Sequence, residues 1–228
     1  MKNILITGGA GYIGAHITEL LIKKKKNIFI VDNLSTGFKK LLNKKAYFTN
    51  LNILDTSKLN KIIIKNKIDS IIHLAASLSV AVGEKHPNLY YKNNVLGTKS
   101  LLKACRNSLV KNLIFSSTAA VYEDGQKIVN EKSIVNPKSV YGKTKLLAEK
   151  QIILNCKKMK INYGILRYFN VCGASTSGKI GIISKGDHLF KNISIEAVKK
   201  KPLIKIYGND YNTPDGTAIR DFIHVSDL

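Results

Sequence analysis

Short apolar runs alternate with stretches of helical spacing along most of this chain. The first run, Asn3–Thr7, predicts a strand, and the apolar spacing over Tyr12–Lys23 predicts the helix that follows it. The same alternation predicts further strands at Asn27–Val31, Ala46–Thr49, Asp69–Ala75, Asn112–Ser116 and Tyr163–Arg167, and further helices at Ser57–Lys65, Asn88–Arg106 and Lys143–Lys157. Strands that alternate with helices form parallel sheets, so the pattern predicts a doubly wound α/β fold.

Beyond Asn170 the alternation weakens. Gly173–Gly186 has the composition of a loop, His188–Lys199 has the spacing of a helix, and Ile204–Tyr207 predicts a short strand. The last part of the chain is therefore expected to form a smaller and less regular region than the first.

Composition excludes several classes of protein. The chain is 44% hydrophobic, which is enough for a core, and it has no run of about eighteen apolar residues that would predict a membrane span. Its first residues, MKNILITGG, lack the features of a signal peptide. Cys105, Cys156 and Cys172 are too widely spaced for a disulfide framework or a metal site, and they favour a reducing cytoplasm.

The formal net charge of +22 raises the question of nucleic-acid binding. Nearly all of the excess is lysine, scattered along the chain, and the arginines are Arg106, Arg167 and Arg220. Proteins that grip phosphates usually use more arginine, because its planar fork binds two oxygens at once. We interpret the lysines as a solvated surface and expect no specific nucleic-acid partner.

The first predicted strand runs into Gly8-Gly9-Ala10-Gly11-Tyr12-Ile13-Gly14, which opens the first predicted helix. In this context glycines predict a pyrophosphate site. Gly8 allows the tight turn, Gly11 lets the backbone approach the phosphates, and Gly14 lets the helix pack closely on the strand. The helix N-terminus adds N–H donors and a positive dipole end. The motif therefore predicts a bound dinucleotide.

Asp32 follows the second predicted strand. A carboxylate at that place accepts hydrogen bonds from the adenosine ribose and repels a 2′-phosphate, and the next loop contains no arginine to bind such a phosphate. The cofactor is therefore predicted to be NAD rather than NADP. The loop expected to wrap the ribose comprises Asn33, Leu34, Ser35, Thr36 and Gly37.

Tyr141 and Lys145 are four residues apart and would share one face of a helix, while Thr118 follows the strand Asn112–Ser116. A free tyrosine has a pKa of about 10 and is a poor base at neutral pH. A neighbouring ammonium and a nicotinamide cation would favour the phenolate and lower that pKa. These residues predict a catalytic base, its activating cation and a hydroxyl that places the substrate oxygen.

Several stretches together resemble the extended short-chain dehydrogenase/reductase family, and within it the sugar-nucleotide 4-epimerases. They are GGAGYIG, VDNLSTG, IIHLAA, YYKNNVLGT, FSSTAAVY, YGKTKLLAE, LRYFNVCGA and GNDYNTPDGTAIRDFIHVSDL. The resemblance implies a Rossmann-type NAD-binding domain over residues 1–170 and an incomplete substrate-binding domain over residues 171–228. The family continues beyond a stretch like HVSDL, so the chain is expected to be truncated at its C-terminus. The resemblance also implies a homodimer that pairs through helices such as Asn88–Arg106 and Lys143–Lys157.

The activity implied by the resemblance is that of an isomerase of galactose metabolism. It oxidises and re-reduces C4 of a UDP-hexose through a transient 4-keto sugar, with catalytic Tyr141, Lys145 and Thr118. Related dehydratases carry an acid after the hydroxyl residue, whereas here Ala119 and Ala120 follow Thr118, which favours simple epimerisation. The alternatives are an epimerase for UDP-N-acetylhexosamines, an inactive NAD-binding remnant, and a basic NAD-binding module with a non-catalytic partner. No metal is expected.

The resemblance also implies further contacts position by position. Cofactor contacts beyond the glycines and the ribose loop are Tyr12, Ile13, Asn52, Ile53, Leu74, Ala75, Ala76, Leu78, Asn93, Thr118, Tyr141, Lys145 and Phe169. Substrate contacts are Tyr168, Asn170, His188, Leu189, Lys205, Ile206, Tyr207 and Arg220. Two positions depart from the family. Asn52 stands where Asp is usual, and Leu78 stands where some epimerases have a Lys that contacts the cofactor.

Overall fold

The first strand, Asn3–Thr7, lies inside a sheet of six strands in the computed structural model, which describes residues 2–126, 128–183, 188–206 and 208–228. The chain divides into two units, Met1–Tyr168 and Phe169–Leu228, and each is described by itself.

Six parallel strands form the centre of the first unit. Their order is β3-β2-β1-β4-β5-β6, the order of the Rossmann fold, so the predicted fold class is confirmed. The strands are β1 (Asn3–Thr7), β2 (Asn27–Asp32), β3 (Tyr47–Asn50), β4 (Ser70–His73), β5 (Asn112–Ser116) and β6 (Asn162–Leu166).

Helices connect the consecutive strands except β2 and β3, which are joined by a loop with a short 3₁₀ turn. The helices are α1 (Tyr12–Lys23), α2 (Thr56–Lys65), α3 (Val80–Lys85), α4 (Pro87–Tyr90), α5 (Gly97–Ala104) and α6 (Val140–Met159). A π-helical segment, Tyr91–Leu96, joins α4 to α5, and short 3₁₀ turns lie at Lys39–Leu41 and Ala119–Val121. The helix predicted over Asn88–Arg106 is thus three helical pieces, and α3 was not predicted.

The apolar runs at the centre of the sheet form strands that are buried on both faces, as parallel strands usually are, whereas the outer strands β3 and β6 are largely exposed. Ile4 and Ile6 belong to one buried cluster, against which residues of α1 pack. Leu5 and Ile71 point the other way into a larger cluster that also contains residues of α2, α5 and α6. The alternation of side chains along β1 therefore supplies two core layers from one strand.

The described part of the second unit contains two short parallel strands, β7 (Asn170–Cys172) and β8 (Phe222–His224), and one helix, α7 (Leu189–Ala197). Phe190 of α7 meets Phe222 of β8 edge to face, with ring centroids 4.9 Å apart. The helix predicted over His188–Lys199 is present with shorter bounds. Neither strand of this unit was predicted.

The strand predicted over Ile204–Tyr207 is wrong for the part that the structure describes. Residues 204–206 are not in a strand, and Ile204 and Ile206 are 52% and 73% exposed. Tyr207 lies outside the described residues, as do residues 184–186 of the predicted loop. Two alternating apolar residues specify a strand only when a neighbouring strand is available to pair with.

A membrane-spanning helix would have to be both long and apolar, and the described parts of the chain contain none that meets both conditions.

The helices of the first unit run against the strands, so they end at the edge where the strands begin. Lys25 and Lys67 follow α1 and α2, and Lys160 caps α6, each in the left-handed backbone region with φ of 54°, 46° and 54°. These three lysines, which are far apart in sequence, therefore lie at one edge of the sheet. Glycine or asparagine is the usual residue in this conformation, because a Cβ there is strained.

The strain at these caps predicts opposite effects for two glycine substitutions in α6. Lys160→Gly should raise the free energy of unfolding by about 1 kcal/mol, because it removes the left-handed penalty. Lys158→Gly removes the same charge from the last turn of α6 and should lower the stability by up to about 1 kcal/mol. Urea unfolding of both variants measures the difference. Destabilisation by both would contradict the assignment of strain to Lys160.

Candidate active site

The glycine turn after β1 is built on close backbone contacts. Gly8 has a φ of +76°, and a Cβ there would lie 2.7 Å from the backbone nitrogen of Ala75. A Cβ on Gly14 would lie 2.6 Å from the carbonyl oxygen of Gly8. Both positions therefore require glycine, and the turn holds the start of α1 directly above the ends of β1 and β4.

The carboxylate of Asp32, at the end of β2, faces this turn. It is 8% exposed and accepts hydrogen bonds from the backbone nitrogens of Ala10, at 3.0 Å, and Leu34, at 2.8 Å. A Cβ on Gly37 would lie 2.9 Å from one of its oxygens. The backbone thus fixes the carboxylate and brings the loop that follows β2 close to it.

An open cleft of about 710 Å³ lies between the glycine turn and the loops after β2 and β4. It opens at the carboxyl ends of parallel strands, where such folds bind ligands. Fourteen of the predicted cofactor residues line it, namely Gly8, Gly11, Asp32, Asn33, Ser35, Thr36, Gly37, Asn52, Ile53, Leu74, Ala75, Ala76, Leu78 and Asn93.

The π-helical segment after α4 positions one wall of the cleft. Asn94 is 2% exposed, accepts from the backbone nitrogen of Ser77 at 2.8 Å and donates to the Thr144 hydroxyl at 3.0 Å. The amide of Asn93 donates to the Ser77 hydroxyl at 2.9 Å. Two consecutive amides therefore tie the loop after β4 to the start of α6.

His73 lies under the glycine turn and is 1% exposed. The Thr98 hydroxyl donates to the carbonyl of Asn94 at 2.6 Å, so its oxygen accepts from Nε2 of His73 at 3.0 Å. Nδ1 then accepts from the Thr7 hydroxyl at 2.7 Å. Burial, together with the charge of Lys145, lowers the pKa of His73 to about 3, so the ring is neutral near pH 7.

Tyr141 lies in the first turn of α6, which Ser139 caps by accepting from the backbone nitrogen of Gly142 at 3.0 Å. A Cβ on Gly142 would clash with the carbonyl oxygen of Ala120, so α6 starts directly against the turn that follows Thr118. Burial raises the pKa of Tyr141, and a hydrogen bond with the Thr118 side chain lowers it. A base at this position therefore needs positive charge nearby.

Lys145 lies one turn further along α6 and is 1% exposed. Its ammonium lies 4.5 Å from the centroid of the Phe115 ring. Burial lowers the pKa of Lys145 to about 7, and the charge of Glu149 acts in the opposite direction. Near neutral pH this lysine is therefore poised between its two protonation states.

The remaining predicted residues of the first unit lie outside the lining of the cleft. Tyr12 and Ile13 begin α1, and Leu34 makes a left-handed bend with a φ of 59°. The Tyr168 hydroxyl is hydrogen-bonded to that of Ser116, and burial raises its pKa.

In the second unit, a hollow of about 570 Å³ brings together four of the predicted substrate residues, which are Asn170, His188, Leu189 and Arg220. Lys205 and Ile206 are exposed and do not line this hollow, and Tyr207 lies outside the described residues. Phe169, the first residue of the unit, is 43% exposed.

Some residues that line or support the site were not among those predicted. Leu51 and Ser77 line the cleft, His73 and Asn94 hold its walls from below, and Glu149 accepts a hydrogen bond from Ser117, next to Thr118. His73 stands inside the stretch IIHLAA, where a polar residue within a strongly apolar strand is a signal of a buried polar role, whereas Asn94 and Glu149 stand among other polar residues and carry no such local signal. Within the described ranges, no group of His, Cys, Asp and Glu is arranged to hold a metal ion.

Comparison with known proteins gives consistent matches. The model of the NAD dependent epimerase/dehydratase family matches residues 4–228. The chain is 42% identical to a UDP-glucose 4-epimerase of Lactobacillus helveticus over 227 residues, which are 99% of this chain and 69% of that protein.

Solved structures agree with this. The UDP-glucose 4-epimerase of Brucella ovis in complex with NAD is similar with a TM-score of 0.92 and 39% identity, over all of this chain and 70% of that one. The enzyme from Stenotrophomonas maltophila, with bound NAD and formylated UDP-arabinopyranose, is similar with a TM-score of 0.92 and 32% identity, over all of this chain and 71% of that one.

The neutral, buried His73 predicts a pH dependence of stability. Its pKa in the folded state is below the unfolded value of about 6.5, so the unfolded chain binds more protons between about pH 6.5 and 3. Stability from this residue is complete above pH 6.5 and decreases as the pH falls, by up to about 1.4 kcal/mol per pH unit.

His73→Gln keeps a donor toward Thr98 but cannot titrate. The variant should be less stable than the parent at pH 7, and the difference should shrink between pH 6.5 and 5. Urea unfolding at several pH values gives the free energy of unfolding of both proteins under the same conditions. Contributions from carboxylates that titrate in both proteins cancel in the difference between the two free energies. A difference that stays constant with pH would show that His73 is not held neutral.

Proposed function

The chain belongs to the NAD dependent epimerase/dehydratase family, and from that membership we propose that it epimerises a UDP-hexose at C4, interconverting UDP-glucose and UDP-galactose through a transient 4-keto sugar. The observation that carries the proposal is the arrangement of Thr118, Tyr141 and Lys145 in one unit with a cleft suited to a dinucleotide. The names of its relatives, which are UDP-glucose 4-epimerases, support the same substrate class.

The cleft fits NAD by its own geometry. Asp32 presents a fixed carboxylate for the ribose hydroxyls, and Gly11 lines the cleft without a side chain that would block a pyrophosphate. Gly8 and Gly14 hold the start of α1 close to the strand ends. The chemistry that NAD supplies when bound is reversible two-electron oxidation of the C4 alcohol to a ketone. The same carboxylate would repel the extra phosphate of NADP.

The chain's own residues handle the proton. We propose that Tyr141 takes the proton of the C4 hydroxyl during oxidation and returns it during reduction. The Thr118 hydroxyl accepts from the backbone nitrogen of Ala120 at 3.1 Å and is hydrogen-bonded to the Tyr141 side chain, so it helps to place the phenol toward the substrate oxygen. The Lys145 ammonium offsets the burial that disfavours a Tyr141 phenolate.

Residues around Thr118 support epimerisation over dehydration. Ala119 and Ala120 form the turn after β5 and bring no acid or base to the sugar. Elimination of water needs such a group, whereas oxidation and re-reduction at one carbon do not.

The second unit is proposed to hold the UDP moiety. Arg220 is suited to the diphosphate because its guanidinium can bind two oxygens, and it lines the hollow with Asn170 and His188. The full set of proposed substrate residues is Tyr168, Asn170, His188, Leu189, Lys205, Ile206, Tyr207 and Arg220.

We further propose that the protein is a cytoplasmic homodimer. Leu89 of α4 and Leu147 and Leu154 of α6 are 47%, 40% and 51% exposed, which supports an apolar contact through these helices. Cys105, Cys156 and Cys172 are all free thiols, as expected in a reducing compartment.

Tyr141→Phe tests the assigned base. Turnover of UDP-galactose to UDP-glucose should fall by at least about 100-fold, because general acid–base catalysis contributes about 10²–10⁴-fold. Bound NAD should be retained, since the ring stays in place. A coupled assay for UDP-glucose measures turnover, and absorbance after denaturation measures NAD.

Tyr163→Phe, which removes an exposed hydroxyl from β6, is the matched control and should leave turnover unchanged. Undiminished turnover in Tyr141→Phe would refute the base. A parent protein that holds NAD and yet converts no UDP-hexose would refute the proposed function.

Asp32→Asn tests the cofactor choice. The amide keeps the size and loses the charge, so NADH should bind at least about tenfold more weakly while the preference for NADH over NADPH shrinks. Fluorescence titration of cofactor-free protein gives both dissociation constants. Asp55→Asn, at the N-cap of α2, is the matched control. If both cofactors weaken equally, the effect is on folding of the loop and the charge argument fails.

A further inference from the structure

A buried ion pair lies one helical turn beyond Lys145. Glu149 of α6 has a side chain that is 1% exposed, and Arg167, which follows β6, is 21% exposed. Nε and Nη2 of Arg167 donate to separate oxygens of the carboxylate, at 3.0 and 2.6 Å. The Ser117 hydroxyl, from the end of β5, donates to the same carboxylate. Three donors from two strand ends therefore hold one carboxylate beside the site.

Stability alone is a weak reason for such a pair. The cost of removing two charges from water is large, and apolar residues of similar volume often replace a buried pair without loss of stability. The proposed function uses Thr118, Tyr141 and Lys145 and assigns nothing to Glu149 or Arg167.

Among the described residues, Glu149 is the anionic group whose charge acts on Lys145. Tyr141 and Glu149 share its helix, Phe115 of β5 lies under its ammonium, and His73 of β4 is close enough for the two charges to interact. His73 is neutral above about pH 4, and a neutral Tyr141 carries no charge. The carboxylate of Glu149 is thus positioned to favour the protonated lysine, and the guanidinium of Arg167 partly cancels it.

We propose that Glu149 and Arg167 are positioning residues that set the protonation state of Lys145 and, through it, the pH range of the reaction. Glu149 keeps the lysine in its ammonium form, and Arg167 limits how strongly it does so. The proposal rests on the proposed function in one respect only, that the ammonium of Lys145 favours the Tyr141 phenolate.

Substitutions of Glu149 and Arg167 should shift the pKa of Lys145 in opposite directions. Burial lowers the pKa of Lys145 to about 7 and Glu149 raises it, so Glu149→Gln lowers that pKa further. Activity that needs the ammonium is lost as the pH rises through this pKa, so the alkaline limb of kcat moves to lower pH. Arg167→Gln leaves the carboxylate uncompensated, raises the pKa of Lys145 and moves the limb to higher pH.

The first experiment compares pH profiles of kcat for the full chain with bound NAD. We expect the alkaline limb to shift by about one pH unit or more, downward in Glu149→Gln and upward in Arg167→Gln. Glu149→Asp keeps the charge and should move the limb less than Glu149→Gln. Arg106→Gln, an exposed arginine beyond α5, is the control and should not move it. A purely structural pair would lower kcat at every pH without moving the limb, and that result would overturn the proposal.

The second experiment needs no turnover. NMR titration of ¹³C-labelled lysine side chains should show one Cε resonance with a pKa near 7, assigned by its absence from Lys145→Met. This resonance should titrate at lower pH in Glu149→Gln and at higher pH in Arg167→Gln. An unchanged titration in folded variants overturns the proposal even if the protein is an active epimerase. If the Lys145 resonance shifts as expected in a protein that has no epimerase activity, the role of Glu149 and Arg167 is supported and only the proposed function is refuted.

Discussion

Parallel pairing of the six strands is the constraint on which the site depends. Its register aligns Thr7 with both Val31 and His73, so the turn at Gly8 emerges between the ends of β2 and β4. Connections on the two sides of β1 pack against opposite faces of the sheet, which opens the cleft at this point. Because the carboxyl ends of parallel strands share one edge, residues far apart in sequence reach the same cleft without long loops.

The carboxyl-end edge of the sheet keeps its geometry because the buried polar groups beneath it have hydrogen-bond partners. His73 joins β1 and β4 to the start of α5 through two threonine hydroxyls, and Asn94 joins the loop after β4 to α6. An unpaired polar group at these depths costs about 1–3 kcal/mol. These hydrogen bonds therefore fix the walls of the cleft more firmly than contacts between apolar side chains alone could.

Much of this arrangement could be predicted from the sequence, because the relevant signals are local. A continuous apolar run such as β1 can be identified from a few consecutive residues. The same is true of the glycine turn and the helix that follows it. Asp32 was found for the same reason, since its position is defined by the end of β2. The strand expected at Ile204 failed because strand formation depends on a pairing partner, which apolar alternation does not supply.

Pairings between distant residues could not be predicted in this way. Glu149 and Arg167 each look like ordinary surface charges in a sequence, and only the packing of α6 against the ends of β5 and β6 brings them together. The same holds for Lys25, Lys67 and Lys160, which are far apart in sequence and lie at one edge of the sheet because helix ends and strand starts meet there.

The use of arginine at position 167, in so lysine-rich a chain, follows from this geometry. A lysine at position 167 would supply the charge, but its single ammonium could not bind both oxygens of Glu149 in the fixed, two-point geometry that Arg167 makes. The orientation of that carboxylate determines how strongly its charge interacts with the ammonium of Lys145. Because Lys145 is buried, its protonation is sensitive to small changes in the charge nearby. Arginine is therefore required where direction matters as well as charge, whereas lysine suffices on the solvated edge of the sheet.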